Sequence, residues 1–395
     1  MTKNFEDMLY LFGAGSCGKE VNAQDMDIEG VRTCAITQGV WPMVYKTLEK
    51  SVDVKRFKLE YISLIAKSIA KKEFTLSVLE KLENEGVKYC LLKGASVAYL
   101  YAIPECRISG DTDIYVNPRE EKKVKKILEE NGYFVEKRPS NEHHMKAFHP
   151  VGGLLEVHIS MYSKTTRDIV FDGKIKYSDN YEKIYIGGKA YYTMRPFDNL
   201  VYLTAHYIKH LVNGGCGVRQ MMDILLFMDK NKNRIDFEKF DALMEKLNYK
   251  KLMDVVKSIG AKYFGFDYPT CSPELMEKLL TDMEKGGTFG YMEKEREKFY
   301  TVYCAERNKS SKFSHKIYMA LFSEQNIFEK IFLGKIKMQK AGYKYAKNNF
   351  VLPFAWIHRW VKLIFRKRKT EGALRQSADI AYNRIEMMKD LGMIE

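Results

Sequence analysis

Residues 110–116 read GDTDIYV, a stretch of strand length that carries two carboxylates two residues apart. Successive side chains of a strand point to opposite faces, so Asp111 and Asp113 share one face and Thr112 lies on the other. Two carboxylates held this close repel each other unless a cation lies between them. Because Mg²⁺ takes oxygen ligands and combines carboxylates with phosphate oxygens, the stretch predicts a metal site that handles phosphate.

A second apolar stretch, LLEVH at 154–158, places Glu156 and His158 on one face of a further strand. Paired strands lie about 4.8 Å apart, so Glu156 can converge with the two aspartates on one pair of metal ions if the strands are neighbours. The spacing of the acids alone is weak evidence for a metal site, because two acids at a strand edge often face solvent. A solvated edge therefore remains an open alternative at this point.

Residues 87–96, VKYCLLKGAS, predict a strand that enters a tight turn and opens a helix at 97–101, which Pro104 closes. In such a turn, backbone N–H groups near Gly94 and Ser96 can hold phosphate oxygens. The simpler alternative is an ordinary strand-to-helix turn in which Ser96 caps the helix. The combination of this turn with the acids downstream favours a nucleotide site.

Apolar residues follow helical spacing over residues 1–86 and again from 196 to 395, whereas residues 87–195 alternate short strands with helices. In the middle part we expect a helix over 118–131 and strands at 87–92, 111–116, 133–136, 154–160, 183–186 and 190–193, the last two joined as a hairpin around Gly187 and Gly188. The sequence therefore predicts an α+β fold. Its small mixed-sheet domain (87–195) is flanked by an N-terminal helical region (1–86) and a C-terminal helical domain (196–395).

The chain carries a formal net charge of +14 and has a sequence pI near 9.1. The positive electrostatic field of such a protein attracts nucleotides, nucleic acid or anionic lipid. Lysines on solvated helix faces would give the same net charge without any such partner. The 7 cysteines are scattered without a C-x-x-C pair, which predicts reduced thiols. The first residues lack a secretory signal, and no apolar run reaches the roughly 18 to 20 residues that span a bilayer, so we expect a cytoplasmic protein.

Residues 354–368, FAWIHRWVKLIFRKR, combine apolar residues at helical spacing with a cluster of basic residues. Such a helix can lie on an anionic membrane, so the protein would contact the membrane peripherally through it. In the alternative, the apolar face packs on the C-terminal helical domain and the basic side chains face water. Pro353 suits the start of a packed helix and favours this alternative.

The order of the motifs is more specific than any single motif. From the N-terminus they are LLKG (91–94), Tyr101, Pro104, Arg107, GDTDI (110–114) and EVH (156–158), followed by His206, His210, Arg219 and Asp223. This order resembles the bacterial uncharacterised nucleotidyltransferase family, a part of the polymerase beta-like nucleotidyltransferase superfamily. The resemblance extends over roughly residues 30–300.

The resemblance implies that Asp111 and Asp113 bind two Mg²⁺ ions, with Mn²⁺ as the alternative ion, and that Glu156 joins them at the catalytic ion. The residues implied to bind the nucleotide are Lys93, Gly94, Ser96 and Arg107. The wider superfamily has glycine followed directly by serine or glycine, whereas Ala95 follows the glycine here. Backbone amides could therefore take over part of the triphosphate contact.

Four further residues are implied to lie around the metal ligands or the acceptor: His158, His206, His210 and Arg219. The two histidines at 206 and 210 lie one helical turn apart, a spacing that also suits two zinc ligands, but no third ligand is evident. Arg219 and Asp223 equally fit a simple i,i+4 ion pair.

Together these features predict metal-dependent transfer of a nucleoside monophosphate from an NTP, with ATP as the expected donor, to a hydroxyl acceptor. The acceptor can be a small molecule, a peptide, a protein or RNA. The alternative is a non-catalytic nucleic-acid-binding or membrane-peripheral protein that keeps the nucleotidyltransferase fold. Three clustered carboxylates argue against it, because a protein that binds no metal has no need of groups that repel one another.

Overall fold

The computed structural model describes residues 1–138, 142–161, 181–291, 338, 351–356, 358 and 371–394. The chain divides into two units. The first comprises Met1–Tyr291 with Asp390–Met393 and contains every predicted site residue, and the second comprises Met292–Lys389 with Ile394–Glu395. The three-part division at residues 86 and 195 stays a prediction.

A mixed sheet lies in the first unit, and within the described residues it has seven strands. They are β1 (Tyr89–Leu92), β2 (Asp111–Val116), β3 (Phe134–Val135), β4 (His144–His149), β5 (Gly153–His158), β6 (Tyr181–Ile186) and β7 (Lys189–Met194). The order across the sheet is β3-β4-β5-β2-β1-β7-β6, which makes β2 central. One neighbour of β2, β5, runs parallel to it, and the other, β1, runs antiparallel. The predicted α+β fold is confirmed.

The two faces of the sheet pack against different helices. On one face, Ile114 joins a buried apolar cluster with side chains from α4 (Lys58–Asn84) and α5 (Glu121–Glu130). On the opposite face, Leu92 forms a smaller buried cluster with Tyr202 from a later helix. Because side chains alternate along a strand, the carboxylates of β2 lie on this second face.

Helices precede and follow the sheet in the first unit, in agreement with the predicted order of elements. Before α4 come α1 (Lys3–Cys17), α2 (Ile28–Thr37) and α3 (Trp41–Leu48). After the sheet come α6 (Pro196–Val212), α7 (Val218–Lys230), α8 (Phe237–Lys246), α9 (Lys250–Ile259) and α10 (Pro273–Gly286). The backbone of α9 continues into one π-helical turn at Gly260–Phe264.

One buried side chain joins the helices that precede the sheet to those that follow it. Gln38 comes directly after α2, and its Nε2 donates a hydrogen bond to the carbonyl oxygen of Met283 in α10 at 2.8 Å. Its Oε1 accepts a hydrogen bond from the backbone N–H of Val218 at 3.1 Å. The first N–H groups of a helix have no partner within that helix, so Gln38 satisfies one of them at the start of α7.

Strand β4 was not expected from the sequence. Its residues HMKAFH bury only Met145 and Ala147, so the apolar pattern is too short to stand out. The strand forms because the chain turns back after His149, which pairs with Gly153 at the start of β5. Gly153 has a φ of 66°, a left-handed conformation that glycine adopts without strain.

The helix expected at 97–101 is replaced by two short 3₁₀ turns at Lys93–Ser96 and Ala98–Leu100. Val97 lies between them with a φ of −130°, which interrupts the helical backbone. The prediction of a regular helix here was wrong because Tyr101 is already extended, with a ψ of 146°, so the helical backbone does not continue beyond one short turn.

In the second unit the described residues include all of α11 (Glu371–Asp390) except its last residue. Met338, Leu352 and Ala355 form a small buried cluster against which Trp356 packs. Most of the basic segment at 354–368 lies outside the described residues, so its membrane contact stays a prediction. Among the described helices of the chain, none is both long and apolar enough to cross a bilayer. The cysteines within the described residues are free thiols.

Candidate active site

The strand register brings two of the three predicted acids side by side. Asp113 on β2 pairs directly with Glu156 on the parallel strand β5. Ligand atoms of Asp113, Glu156 and His158 all lie within 4.8 Å of one another. Asp111 lies two residues earlier on the same face of β2, where it accepts a hydrogen bond from Ser109 Oγ at 3.3 Å. It is the one predicted acid outside that group of three.

Lys93 lies among the carboxylates. It follows β1 directly with a φ of 49°, the left-handed region, which a residue with a side chain rarely adopts. Its Nζ donates a hydrogen bond to Asp113 and is 3.8 Å from Glu156 Oε2. An ammonium group therefore occupies the space between two predicted metal ligands.

His158 connects the carboxylates to a neighbouring strand. Its Nε2 lies 2.9 Å from Asp113 Oδ1 and 3.8 Å from Glu156 Oε2. The ring is buried, with 2% of its surface exposed, and its Nδ1 has no hydrogen-bond partner. The geometry thus identifies Nε2 as the nitrogen that carries the proton toward Asp113, and leaves a lone pair on Nδ1.

Two histidines of the preceding segment stand beside His158. His144 on β4 pairs with it across the β4–β5 ladder, and His143 Nε2 is 3.4 Å from His144 Nδ1. His144 Nε2 lies 3.6 Å from Glu156 Oε1. Burial, assisted by the nearby His158, lowers the pKa of His143 to about 2 and that of His144 to about 4. Both rings are therefore neutral at pH 7.

Burial and nearby charges determine the pKa values of the two paired carboxylates. Burial alone would raise the pKa of Asp113, but the charge of Lys93 and the hydrogen bond from His158 outweigh it and hold that pKa below its ordinary value. Burial and the charge of Asp113 raise the pKa of Glu156 to about 7. At neutral pH, Asp113 is a stable anion and Glu156 can exchange a proton.

Arg107 underlies the turn at Gly94. Its guanidinium group forms two hydrogen bonds with the carboxylate of Asp223, at 3.2 and 2.5 Å, and Tyr101 donates a third to the same carboxylate at 2.7 Å. A Cβ added at Gly94 would overlap this guanidinium group. The structure thus places Arg107 in a buried ion pair, and its predicted contact with nucleotide stays a prediction.

Ser96 lies inside the turn rather than at a helix start. Its hydroxyl donates to the carbonyl oxygen of Lys93 at 2.8 Å and lies 3.3 Å from Asn199 Oδ1.

Arg219 donates to the carbonyl oxygen of Ile108 at 2.7 Å, and Asp223 pairs with Arg107. The simple ion pair between Arg219 and Asp223 is therefore not formed.

On α6, the rings of His206 and His210 are 4.3 Å apart and nearly perpendicular. Neither belongs to a group of three metal-binding side chains among the described residues, so the zinc alternative for this pair finds no third ligand. Lys209 on the same helix is half-buried, and this desolvation together with the charge of Lys93 lowers its pKa.

A cavity of about 110 Å³ lies between α4 and the Gly94 turn. Its wall contains the apolar side chain of Leu79 together with Lys71, Arg107 and Asp111. Lys71 donates to the carbonyl oxygen of Ser109 at 3.2 Å, and burial lowers its pKa to about 8. The cavity thus combines apolar surface with cationic groups next to one predicted metal ligand.

A family model described as uncharacterised nucleotidyltransferase matches residues 24–265, more than half of the chain. The chain belongs to this family. The resemblance stated from the motif order is thereby confirmed, and the protein is a nucleotidyltransferase. No curated protein is significantly similar to this nucleotidyltransferase in sequence.

Three solved structures resemble parts of the nucleotidyltransferase. The lincomycin-bound lincosamide antibiotic adenylyltransferase LnuA is 18% identical, with 39% of this chain and 94% of that chain covered and a TM-score of 0.29. The antibiotic-resistance factor ANT(2'')-Ia is 11% identical, with coverages of 48% and 96% and a TM-score of 0.28. An antigenic nucleotidyltransferase-like protein from Paracoccidioides brasiliensis is 15% identical, with coverages of 51% and 94% and a TM-score of 0.31. Likeness at this level carries no argument about activity.

Four side chains near the carboxylates of the nucleotidyltransferase were missed from the sequence: Lys71, His143, His144 and Lys209. The adjacent histidines at 143 and 144 were the clearest signal, because they place two side chains of a metal-binding type next to each other in the sequence. Lys209 could have been found from its place three residues after His206, which puts both on one side of a helix. Lys71 gave no signal, because it is one of several lysines on the long helix α4.

Proposed function

We propose that this nucleotidyltransferase transfers a nucleoside monophosphate from an NTP, with ATP as the expected donor, to a hydroxyl group of an acceptor, and that two Mg²⁺ ions are required. The observation that supports this most is the direct pairing of Asp113 and Glu156 on parallel neighbouring strands, with Asp111 on the same face. The acceptor is a small molecule, a peptide, a protein or RNA.

The residues present fit divalent metal ions. Asp111, Asp113 and Glu156 supply the carboxylate oxygens that Mg²⁺ prefers, and the Lys93 ammonium group between two of them marks a position where positive charge is stabilised. When bound, the ions would supply charge that neutralises the phosphoryl oxygens of the donor and the leaving group. Mn²⁺ is the alternative ion for the same oxygens.

The chain's own residues supply the proton acceptor and the contacts to phosphate. In the transfer, the acceptor oxygen attacks the α-phosphorus, a new P–O bond forms, and the bond to the bridging oxygen breaks to release pyrophosphate. Glu156 accepts the proton of the attacking hydroxyl. Its place beside Asp113, on the carboxylate face of the sheet, supports this role.

Two lysines are suited to the triphosphate. Lys93 has a flexible side chain whose ammonium group can move from Asp113 to a phosphate oxygen when a divalent ion takes its place. Lys209 faces the same region from α6 and has no ion pair or side-chain hydrogen bond with other described residues. An anionic donor would therefore satisfy a half-buried cation that the described residues leave unpaired.

The test is release of pyrophosphate and transfer of label from each NTP in turn, with the full chain, Mg²⁺ and a cell extract as the source of acceptors. We expect Asp111→Asn and Asp113→Asn to lower turnover by at least about a hundredfold. Glu130→Gln is the control, because Glu130 is an exposed acid on α5. Turnover that persists in EDTA, or that survives in both aspartate variants, would overturn the proposal.

A further inference from the structure

We propose that His143, His144 and His158 form a binding site for a transition-metal ion of the zinc type, next to the carboxylate site but chemically distinct from it. One ring nitrogen from each histidine lies within 4.8 Å of the other two. The proposal concerns a site that the transfer reaction described above does not require.

The spacing of the three rings is close to what one ion needs. Zn–N bonds of about 2.0–2.1 Å in a tetrahedral site put neighbouring ligand nitrogens about 3.4 Å apart. His143 Nε2 and His144 Nδ1 are already 3.4 Å apart. The ring centroids of His143 and His144 each lie 5.3 Å from that of His158. Small side-chain rotations would therefore bring all three nitrogens onto one ion.

One of the rings holds a nitrogen that nothing among the described residues satisfies. His158 Nδ1 is buried and has no hydrogen-bond partner. A buried nitrogen of this kind costs free energy unless something binds it, so it is a candidate for an absent ligand. The whole His158 ring is almost fully buried, which leaves this nitrogen without solvent as a partner.

The hydrogen bond of His158 to Asp113 supports the same site. Histidines that bind a metal through one nitrogen commonly donate the other N–H to a carboxylate, which fixes the tautomer and the orientation of the ring. His158 Nε2 lies 2.9 Å from Asp113 Oδ1, and this arrangement leaves Nδ1 with its lone pair free. The ring is thus held in the state that a metal ligand requires.

Ligand chemistry separates this site from the Mg²⁺ site. Imidazole nitrogens favour Zn²⁺ and its transition-metal neighbours, whereas carboxylate oxygens favour Mg²⁺. Three protein ligands also leave a fourth position of a tetrahedral ion for water or for an oxygen of a substrate. Because the β4–β5 register places His144 opposite His158, the sheet fixes two of the three ligands of the new site.

The experiment titrates Zn²⁺ into the metal-free full chain in the presence of excess Mg²⁺, with binding followed by calorimetry. We expect one Zn²⁺ ion to bind per chain. His143→Ala and His144→Ala should each weaken the affinity for Zn²⁺ by more than about a hundredfold, which exceeds the loss expected when a residue that only supports a ligand is removed. His149→Gln is the matched control, because His149 lies on the same strand outside the cluster. Co²⁺ in place of Zn²⁺ should give the visible absorption of a tetrahedral imidazole site.

Failure of this site and failure of the transfer reaction can be told apart. Asp111→Asn should lose turnover yet keep full Zn²⁺ binding, since Asp111 is outside the histidine cluster. Absence of Zn²⁺ binding or of tetrahedral Co²⁺ absorption in the wild type would overturn the site. So would His143→Ala and His144→Ala variants that bind Zn²⁺ as tightly as the wild type and the His149→Gln control. The wild-type Co²⁺ spectrum decides the matter even if a histidine variant fails to fold.

Discussion

At the scale of single residues, Lys93 allows the carboxylates to coexist without a divalent ion. Its ammonium group is hydrogen-bonded to Asp113 and lies 3.8 Å from Glu156. The sequence predicted repulsion between the acids, whereas the structure places a compensating charge among them. Asp113 is buried, and a buried ion pair that loses one partner leaves an uncompensated charge behind. We therefore expect Asp113 to contribute to stability as well as to chemistry.

We expect Asp113→Asn to lower the free energy of unfolding of the metal-free protein by about 3 kcal/mol, the low end for a broken buried pair, because relief of repulsion with Glu156 offsets part of the loss. Asp111→Asn is the matched variant, since Asp111 forms no ion pair with other described residues. Its change should stay below about 0.5 kcal/mol. Urea unfolding at pH 7 in EDTA measures both, and equal stabilities would contradict the role of the pair.

The stabilisation by Asp113 also depends on pH. Because the folded protein holds the pKa of Asp113 below its ordinary value of 3.8, the stabilisation is complete above that value and is lost as the pH falls through the lowered pKa. The difference in unfolding free energy between wild type and Asp113→Asn should therefore shrink as the pH falls below 3.8. A difference that stays constant with pH would show that the lost contact is not ionic.

Gly94 has a role that can be tested separately from nucleotide binding. An alanine Cβ there would overlap the guanidinium group of Arg107, which can move away only by leaving Asp223. We expect Gly94→Ala to cost about 3–5 kcal/mol of unfolding free energy, the usual cost of breaking a buried ion pair. Gly110→Ala is the control, because a Cβ at Gly110 meets open space. Similar melting temperatures for the two variants would be evidence against this packing.

At the scale of elements, Gln38 is the contact that fixes the start of α7. Its amide satisfies one backbone N–H of α7 and one carbonyl oxygen of α10, both buried. Truncation would leave the buried N–H of Val218 without its partner, whereas the carbonyl oxygen of Met283 keeps the N–H of Gly287 at 2.9 Å. We therefore expect Gln38→Ala to destabilise the protein by about 1–3 kcal/mol. Gln24→Ala, at an exposed glutamine before α2, is the control. Calorimetric melting measures both, and an unchanged melting temperature for Gln38→Ala would contradict the bridge.

The elements also show what a sequence pattern can reveal. The strands that carry Asp113 and Glu156 were predicted because DTDIYV (111–116) has strand length and LLEVH (154–158) is a short apolar stretch. The sequence missed β4, since only Met145 and Ala147 mark its buried face. The histidine cluster was missed for the same reason, because His144 lies opposite His158 only when β4 pairs with β5. A short strand is specified by its neighbours more than by its own residues.

At the scale of the whole molecule, the pairing of distant strands could not be read from local patterns. The sequence allowed Glu156 to reach Asp113 only on the condition that their strands were neighbours, and the register of β2 and β5 meets that condition. The motif order predicted the family. It did not place Lys93 between the carboxylates, because that position depends on a left-handed backbone at the end of β1.

The same sheet order has a consequence for synthesis of the chain on the ribosome. β1 pairs along one edge with β2, which follows it closely, but its other edge pairs with β7 through Leu91 and Thr193. When the ribosome has synthesised the chain as far as His158, the strands that carry the carboxylates are complete but β7 is not. One edge of β1 then still exposes unpaired backbone groups. Such an open edge can pair with another chain, so we infer that the stretch between His158 and Thr193 is the interval in which a nascent chain is most exposed to aggregation.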